Sequence, residues 1–268
     1  MPKMPIETIE VRGVTLRRDP AREPCFTIGY HETEVRAARD YASVSAVRSM
    51  LHREYNNEVQ NAEIAAQTLV DFPEAPWELR MQLARQCWDE TRHARMFLRR
   101  VEELGGRKGE SPIKNGDWGI VGMIDTLPGR LLVQHRLFEG GVIDSFRQVA
   151  RGFREYGDAR TAEMFEVILA DEIQHVRFAN QWLRHFTREP RAVMQMAAAL
   201  HFASGVMRAL QPQAGDRSLD DVDLAAVDHA IVVNTEDRQH AGFTEAEITD
   251  LVQQGHASAP QPQSFTES

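Results

Sequence analysis

Two strings in the 268-residue sequence carry side chains that could do chemistry: Asp89-Glu90-Thr91-Arg92-His93 and Asp171-Glu172-Ile173-Gln174-His175. Each reads Asp-Glu-x-x-His. On a helix, a three-residue spacing puts the Glu and the His on one face, where both reach the same ion. A single copy reads most simply as a solvated acid beside a core histidine. Two copies inside long helical segments read as two halves of one metal site. A site of this kind also takes one glutamate from each of two further helices. In the second half that residue is Glu139, spaced helically from Leu132, Phe146 and Phe153. The first half offers Glu54, Glu58 and Glu63.

Helix geometry chooses among the three. Antiparallel neighbours must bring their ligands to the same height above the turn that joins them, and that turn centres near Pro73-Glu74. At 1.5 Å per residue, Glu58 and Glu90 both stand roughly 24 Å above it, Glu63 roughly 9 Å below Glu90, and Glu54 roughly 6 Å too high. Periodicity agrees, because Leu51, Tyr55, Glu58, Ala62, Ala65 and Leu69 form one stripe. Glu58 is the expected ligand, with Glu54 one turn away. The second half repeats the arrangement: Glu139 follows Glu58 by 81 positions, Glu172 follows Glu90 by 82, and His175 follows His93 by 82.

The expected metal-holding and catalytic set is therefore Glu58, Glu90, His93, Glu139, Glu172 and His175. The alternative, a buried ion-pair network, would be costly without cationic partners, and few Lys or Arg fall on these stripes. Four carboxylates and two imidazoles make a hard, oxygen-rich site suited to two iron ions, to manganese or to a mixed pair. Zinc would fill the ligands without supplying redox chemistry.

The elements that must position these groups are helices. Residues 1–42 hold a rough alternation from Ile6 to Leu16, broken at Gly13, that suits a short hairpin or an extended arm. Pro20 and Pro24 exclude regular structure until about Glu32. Helix one is predicted from Ala46 to Val70, and helix two from Pro76 to Leu104, stopping at Gly105-Gly106. Arg107 to Gly119 reads as a crossover loop. Helix three covers Met123 to Glu155, with a kink at Pro128 and a break at Gly140-Gly141, and helix four runs from Gly157-Asp158 to Pro190. The bundle thus occupies 43–190 and is followed by a helical extension over 191–256. That extension holds a fifth helix, Ala192 to Leu210, and a capping box at Thr244-Glu245-Ala246-Glu247 that opens a short helix to Val252. Residues 257–268 have the composition of a disordered tail.

Composition narrows the function. The net charge of −9 argues against a chain that grips nucleic acid through its backbone. Cys25 and Cys87 are too few for a disulfide framework. The amino terminus lacks the apolar core of a secretory signal. Val193 to Leu210 is too short and too polar for a membrane span. A soluble cytoplasmic protein is expected, with no membrane partner and a possible homodimer.

Residues 48–187 resemble the ferritin-like superfamily. Within it, Asn57-Glu58-Val59-Gln60 and Ala170-Asp171-Glu172-Ile173-Gln174-His175 are similar to an uncharacterised bacterial family that is distantly similar to the tRNA-modifying diiron hydroxylase. The resemblance implies an all-α, ferritin-like four-helix bundle with an N-terminal extended arm and additional C-terminal helices. It also implies that Asp89 and Asp171 each bond a ligand histidine across the bundle, which would fix its tautomer. Its O2-binding diferrous members imply an oxygenase or oxidase acting on a small organic molecule, with an electron donor if a monooxygenase. An iron-oxidising storage or peroxide-detoxifying protein, a non-catalytic metal-binding or assembly protein, and a tRNA-modifying hydroxylase remain as alternatives. Five side chains near the strings are left open. His135 could be an added ligand, a proton donor or a polar contact; Tyr55 a partner of the metals or core; Cys87 small core filling; Arg92 and Gln174 the lining of a substrate cavity.

Overall fold

A computed structural model describes residues 6–29, 40–210 and 232–258. It is helical apart from one hairpin, and the helices begin and end where local chemistry stops them. Strands β1 (Thr8–Val11) and β2 (Val14–Arg17) pair antiparallel around Arg12 and Gly13, both at positive φ, the two-residue turn that matches strand twist. Helix α1 (Val44–Asp71) starts at Ser43, whose hydroxyl caps Ala46 N–H at 3.3 Å. Helix α2 (Trp77–Glu103) ends at Gly105 in the left-handed region, with Gly106 N–H returning to Val101 O. Gly157, at φ 97°, stops helix α5 (Gly140–Tyr156), and Asp158 caps helix α6 (Ala159–Phe186) through Thr161 N–H.

Between α2 and α5 the sequence expectation needs correction. Helix α3 (Gly116–Val121) occupies the end of the segment expected to be loop. The next rod begins not at Met123 but at Leu127, with helix α4 (Leu127–Leu131). Pro128 sits in its first turn, where a missing N–H costs nothing, so it starts the rod rather than kinking it. Nor does the rod break at Gly140-Gly141. Every junction residue is right-handed helical, and α4 runs through a π-helical segment, Leu132–Glu139, into α5. Gly140 is covered by Arg238, whose guanidinium bonds the Gly140 carbonyl at 2.8 Å.

Helix α1 packs along α2 and α5 along α6, with α2 and α6 in contact and the π segment against α6. Apolar side chains fill this assembly in two layers. One holds Phe97, Phe146, Phe153 and Phe165, the ring centres of Phe146, Phe97 and Phe153 lying 4.9, 5.2 and 5.9 Å from that of Phe165. The other holds Leu79, Leu83, Leu131, Phe178 and Leu183. Along α2 and α6 the polar strings lie between these layers, so the interior is dry above and below them. Arg130, buried, ties the start of the third rod to the end of α1 through Asp71 (2.7 Å), and also bonds Ile124 O just before the rod.

The remaining elements cover this frame. Helix α7 (Pro190–Leu210) packs on α4, and Val11 and Leu16 of the hairpin join Trp118, Ala199 and Ala203 in a third apolar cluster. Helices α8 (Thr235–His240) and α9 (Glu245–Ser258) follow, α8 being absent from the sequence expectation. The capping box at Thr244 forms, with Glu247 accepting from Thr244 N–H at 2.8 Å, but α9 continues beyond Val252 to Ser258. The expected disordered tail is otherwise outside the described residues. Among these, no helix is long and apolar enough to cross a membrane.

Candidate metal centre

Helix α1 is buried on two faces, and this explains its unusual polar content. One face, through His52, Asn56 and Gln60, accepts the chain that crosses it: Gln60 bonds Lys114 O and Trp118 N–H, and His52 accepts from Gly109 N–H. The other face carries Leu51, Glu58, Asn61 and Ala65 inward. Glu58 meets Glu90 and His93 of α2 and Glu172 of α6, and Glu139 at the end of the π segment meets Glu172 and His175 of α6. All six are at most 3 % exposed.

The six side chains form two overlapping groups. Glu58, Glu90, His93 and Glu172 bring ligand atoms within 4.8 Å of one another, as do Glu139, Glu172 and His175. His93 Nδ1 lies 3.2 Å from Glu90 Oε2, 3.2 Å from Glu172 Oε1 and 3.4 Å from Glu58 Oε2. His175 Nδ1 lies 3.3 Å from Glu90 Oε1 and 3.5 Å from Glu172 Oε2. Glu90 and Glu172 therefore each offer one oxygen to either histidine, whereas Glu58 and Glu139 each serve one side.

Behind the histidines stand two aspartates. His93 Nε2 faces Asp171 Oδ2 at 3.3 Å, and His175 Nε2 faces Asp89 Oδ2 at 3.5 Å. Each contact crosses between α2 and α6 and leaves Nδ1 turned inward. The one to Asp171 is the hydrogen bond the resemblance implied, whereas His175 Nε2 approaches Asp89 without forming one. Arg92 bonds Asp171, and Arg85 bonds Asp89 at 2.8 Å. The hydrogen bond from His93, with that from Arg92, holds the Asp171 carboxyl down at about 2.

Electrostatics within the cluster is unbalanced. Burial, reinforced by the neighbouring glutamates, raises Glu58 and Glu139 well above the ordinary carboxylate range. Burial would raise Glu90 too, but the charges and hydrogen bonds of His175 and His93 hold it well below. Both histidines are pushed up, because their carboxylate partners outweigh the burial that opposes an imidazolium. Four carboxylates thus share two imidazolium partners in a dry interior, a costly state for the protein alone. Glu58 Oε2, Glu139 Oε2 and both oxygens of Glu172 are buried without a hydrogen bond, as are both ring nitrogens of His175. Such orphaned carboxylate oxygens in one buried cluster fit cations that would neutralise them. Two divalent ions would balance the four carboxylates and release the imidazole protons. The donor set is hard, as expected for iron or manganese.

The other residues of interest fall elsewhere. Glu63 forms a two-point ion pair with Arg22 of the N-terminal segment (2.6 and 2.7 Å), and Glu54 bonds Arg53 and Asn57. Tyr55 packs with Phe26 and His52, away from the cluster. Gln174 is exposed, and Cys87 is half-buried. Arg92 pairs with Asp171. His135 stands beside the cluster: its Nε2 is 2.9 Å from Gln86 Oε1 and 3.9 Å from Glu139 Oε2, and its ring lies on Phe178. Burial, with the charge of His175, lowers it to about 3, so it is neutral.

Sequence reasoning missed three buried amides. Gln86 Nε2 donates to Glu139 Oε1 at 2.7 Å and to Glu90 Oε1 at 3.1 Å. Gln134 Nε2 donates to Glu139 Oε1 at 3.0 Å and to Asn61 Oδ1 at 2.9 Å. Gln86 and Asn61 were detectable, lying one turn from Glu90 and Glu58. Gln134 was not, because five residues of ordinary helix would carry it about 140° away from Glu139. The π segment, with its i→i+5 bonding, brings the two together.

A family described as proteins of unknown function, DUF455, matches residues 5–249. Comparison with curated proteins returns no match. The chain belongs to the DUF455 family, whose match takes in the hairpin, the six clustered residues and the helices that follow α6.

Proposed function

We propose that this DUF455 chain is a ferritin-like dimetal protein that holds two iron ions and uses O2 to oxidise a small organic molecule. One observation carries the reading: six buried Glu and His side chains from four helical rods converge, and Glu58 Oε2, Glu139 Oε2 and both oxygens of Glu172 have no hydrogen-bond partner there. A structural ion-pair network would have satisfied those atoms.

In this reading the residues divide the work. Glu58 and His93 would hold one ion and Glu139 and His175 the other, with Glu90 and Glu172 within reach of both histidines. Asp171 accepts the Nε2 proton of His93 and so keeps its Nδ1 lone pair inward, and Asp89 stands 3.5 Å from Nε2 of His175 on the same side of that ring. The Phe97–Phe146–Phe165 layer on one side and the Leu83–Leu131–Phe178 layer on the other exclude bulk water. His135, neutral and fixed against Phe178, faces Gln86 at 2.9 Å and stands 3.9 Å from Glu139. Two bound irons would supply the electrons for O2 reduction, with manganese or a mixed pair as variants and an external electron donor needed for monooxygenation.

An iron-oxidising or peroxide-detoxifying protein is the second reading, since the same ligands suit it. The hairpin and the helices after Phe186, which a minimal bundle does not need, favour the oxygenase. The net charge of −9 weighs against the tRNA-modifying hydroxylase. O2 uptake by iron-loaded protein discriminates. The oxygenase reading expects uptake that rises with a small organic substrate and a reductant. Uptake that instead tracks excess Fe(II) and ends in ferric mineral would overturn it.

A further inference from the structure

The two terminal glutamates of the cluster are held differently, and the difference lies in what fixes each carboxylate. Glu139 Oε1 accepts two amide N–H groups, from Gln86 (2.7 Å) and Gln134 (3.0 Å), while Glu139 Oε2 is buried with no hydrogen bond. Neither amide is free to swing. The other N–H of Gln86 points to Glu90 Oε1, and its Oε1 faces His135 Nε2 at 2.9 Å, where the ring is wedged against Phe178. A carboxylate that holds a cation only accepts, so the NH2 end of Gln86 must face the glutamates and its oxygen must face His135 N–H. Gln134 is anchored in turn by Asn61 of α1. Its place beside Glu139 exists only because the rod is π-helical over Leu132–Glu139.

From this we infer that Gln86 and Gln134 are positioning residues that pin Glu139 Oε1, so that Glu139 binds its ion through Oε2 alone and a coordination position beside His175 stays open for an exogenous ligand. The inference rests on the dimetal reading above. An oxygen that already accepts two hydrogen bonds is a poor second donor to a cation, and rotating the carboxylate toward two-oxygen binding would break both bonds at once. The clamp thus acts on how Glu139 binds rather than on whether it binds. The π segment, an expensive departure from regular helix, is what delivers it.

Isosteric replacements test the clamp. Gln86→Met and Gln134→Met each keep side-chain volume and remove the amide. Gln60→Met is the control, since Gln60 is equally buried but bonds Lys114 O and Trp118 N–H away from the cluster. Metal-free protein is titrated with Co(II), and its d–d absorption is recorded before and after adding azide. Wild type and Gln60→Met are expected to take up about two ions per chain and to give the same spectra and the same azide response. The two site variants are expected to keep both ions and to lose d–d intensity, as Glu139 closes with both oxygens. They are also expected to bind azide about tenfold more weakly. Unchanged spectra and azide affinity in the site variants would overturn the inference while leaving the dimetal reading intact. Loss of an ion in those variants would also overturn it, by making the amides necessary for binding itself. A wild type that takes up no Co(II) would remove the dimetal reading, and the inference with it. Should a Met variant fail to fold by circular dichroism, Gln86→Asn or Gln134→Asn, which shorten the reach and keep the amide, takes its place.

Discussion

The two halves of the metal centre use the same residue types at nearly the same spacing, yet they are built differently. In the α1–α2 half, Glu58 faces His93 Nδ1 at 3.4 Å from a regular helix whose other face is covered by the chain that crosses it. In the other half, Glu139 ends a π segment and is gripped by two amides. The repeat fixes where the ligands stand. A local departure from helical geometry then makes one ligand differ from its counterpart, and it lies at the buried site rather than at an exposed surface. Repetition alone would have given two equivalent halves; the π segment makes them inequivalent.

The largest expected effect breaks both halves together. Glu90 and Glu172 each reach both histidines, so Glu90→Ala or Glu172→Ala is expected to abolish tight binding of both ions, whereas Glu139→Ala costs only the ion beside His175. Metal analysis after desalting checks this, and loss of a single ion from Glu90→Ala would show that the halves are separate sites. Next come the aspartates. Asp171→Asn is expected to weaken Fe(II) binding about 10- to 100-fold. Asp89→Asn is expected to weaken it less, since its histidine contact is longer, 3.5 against 3.3 Å. Titration of each variant measures the asymmetry, and equal losses would deny it.

Metal removal should act on stability through mass action. At a hundredfold excess of free metal over Kd the stabilisation is roughly 2.7 kcal/mol, so chelation is expected to lower the melting temperature by several degrees, and the readout is calorimetry with and without chelator. The smallest effect belongs to Glu63. Glu63→Ala removes the partner of Arg22 and is expected to cost about 1 kcal/mol of stability at that partly exposed pair, with metal content unchanged. Denaturant unfolding beside metal analysis checks it, and any loss of metal would move the α1 contribution away from Glu58.

Much of this was legible from spacing. Glu58 could be separated from Glu54 and Glu63 because rise per residue and stripe are rigid properties of a helix. Glu63 then proved to belong to Arg22, a pairing across 41 positions that periodicity cannot show. The aspartates behind the histidines came from the resemblance. Their contacts run between helices and leave no mark in the spacing within either one. The π segment was illegible, since one extra residue per turn has no sequence signature, and with it went Gln134. Pro128 and Gly140 were misread as kink and break: one is harmless in a first turn, and the other is held helical by tertiary contact with Arg238. Tyr55 fits the stripe but turns toward Phe26, from a segment whose packing against α1 had no local signal.

The central claim is a buried two-ion site, and its most direct test is the metal content of protein purified from iron-supplemented cells, wild type beside Glu58→Ala. About two irons per wild-type chain, with at least the ion beside His93 lost in Glu58→Ala, is the result this account predicts. No redox metal in the wild type, stoichiometric zinc in its place, or iron that persists undiminished in Glu58→Ala would contradict it.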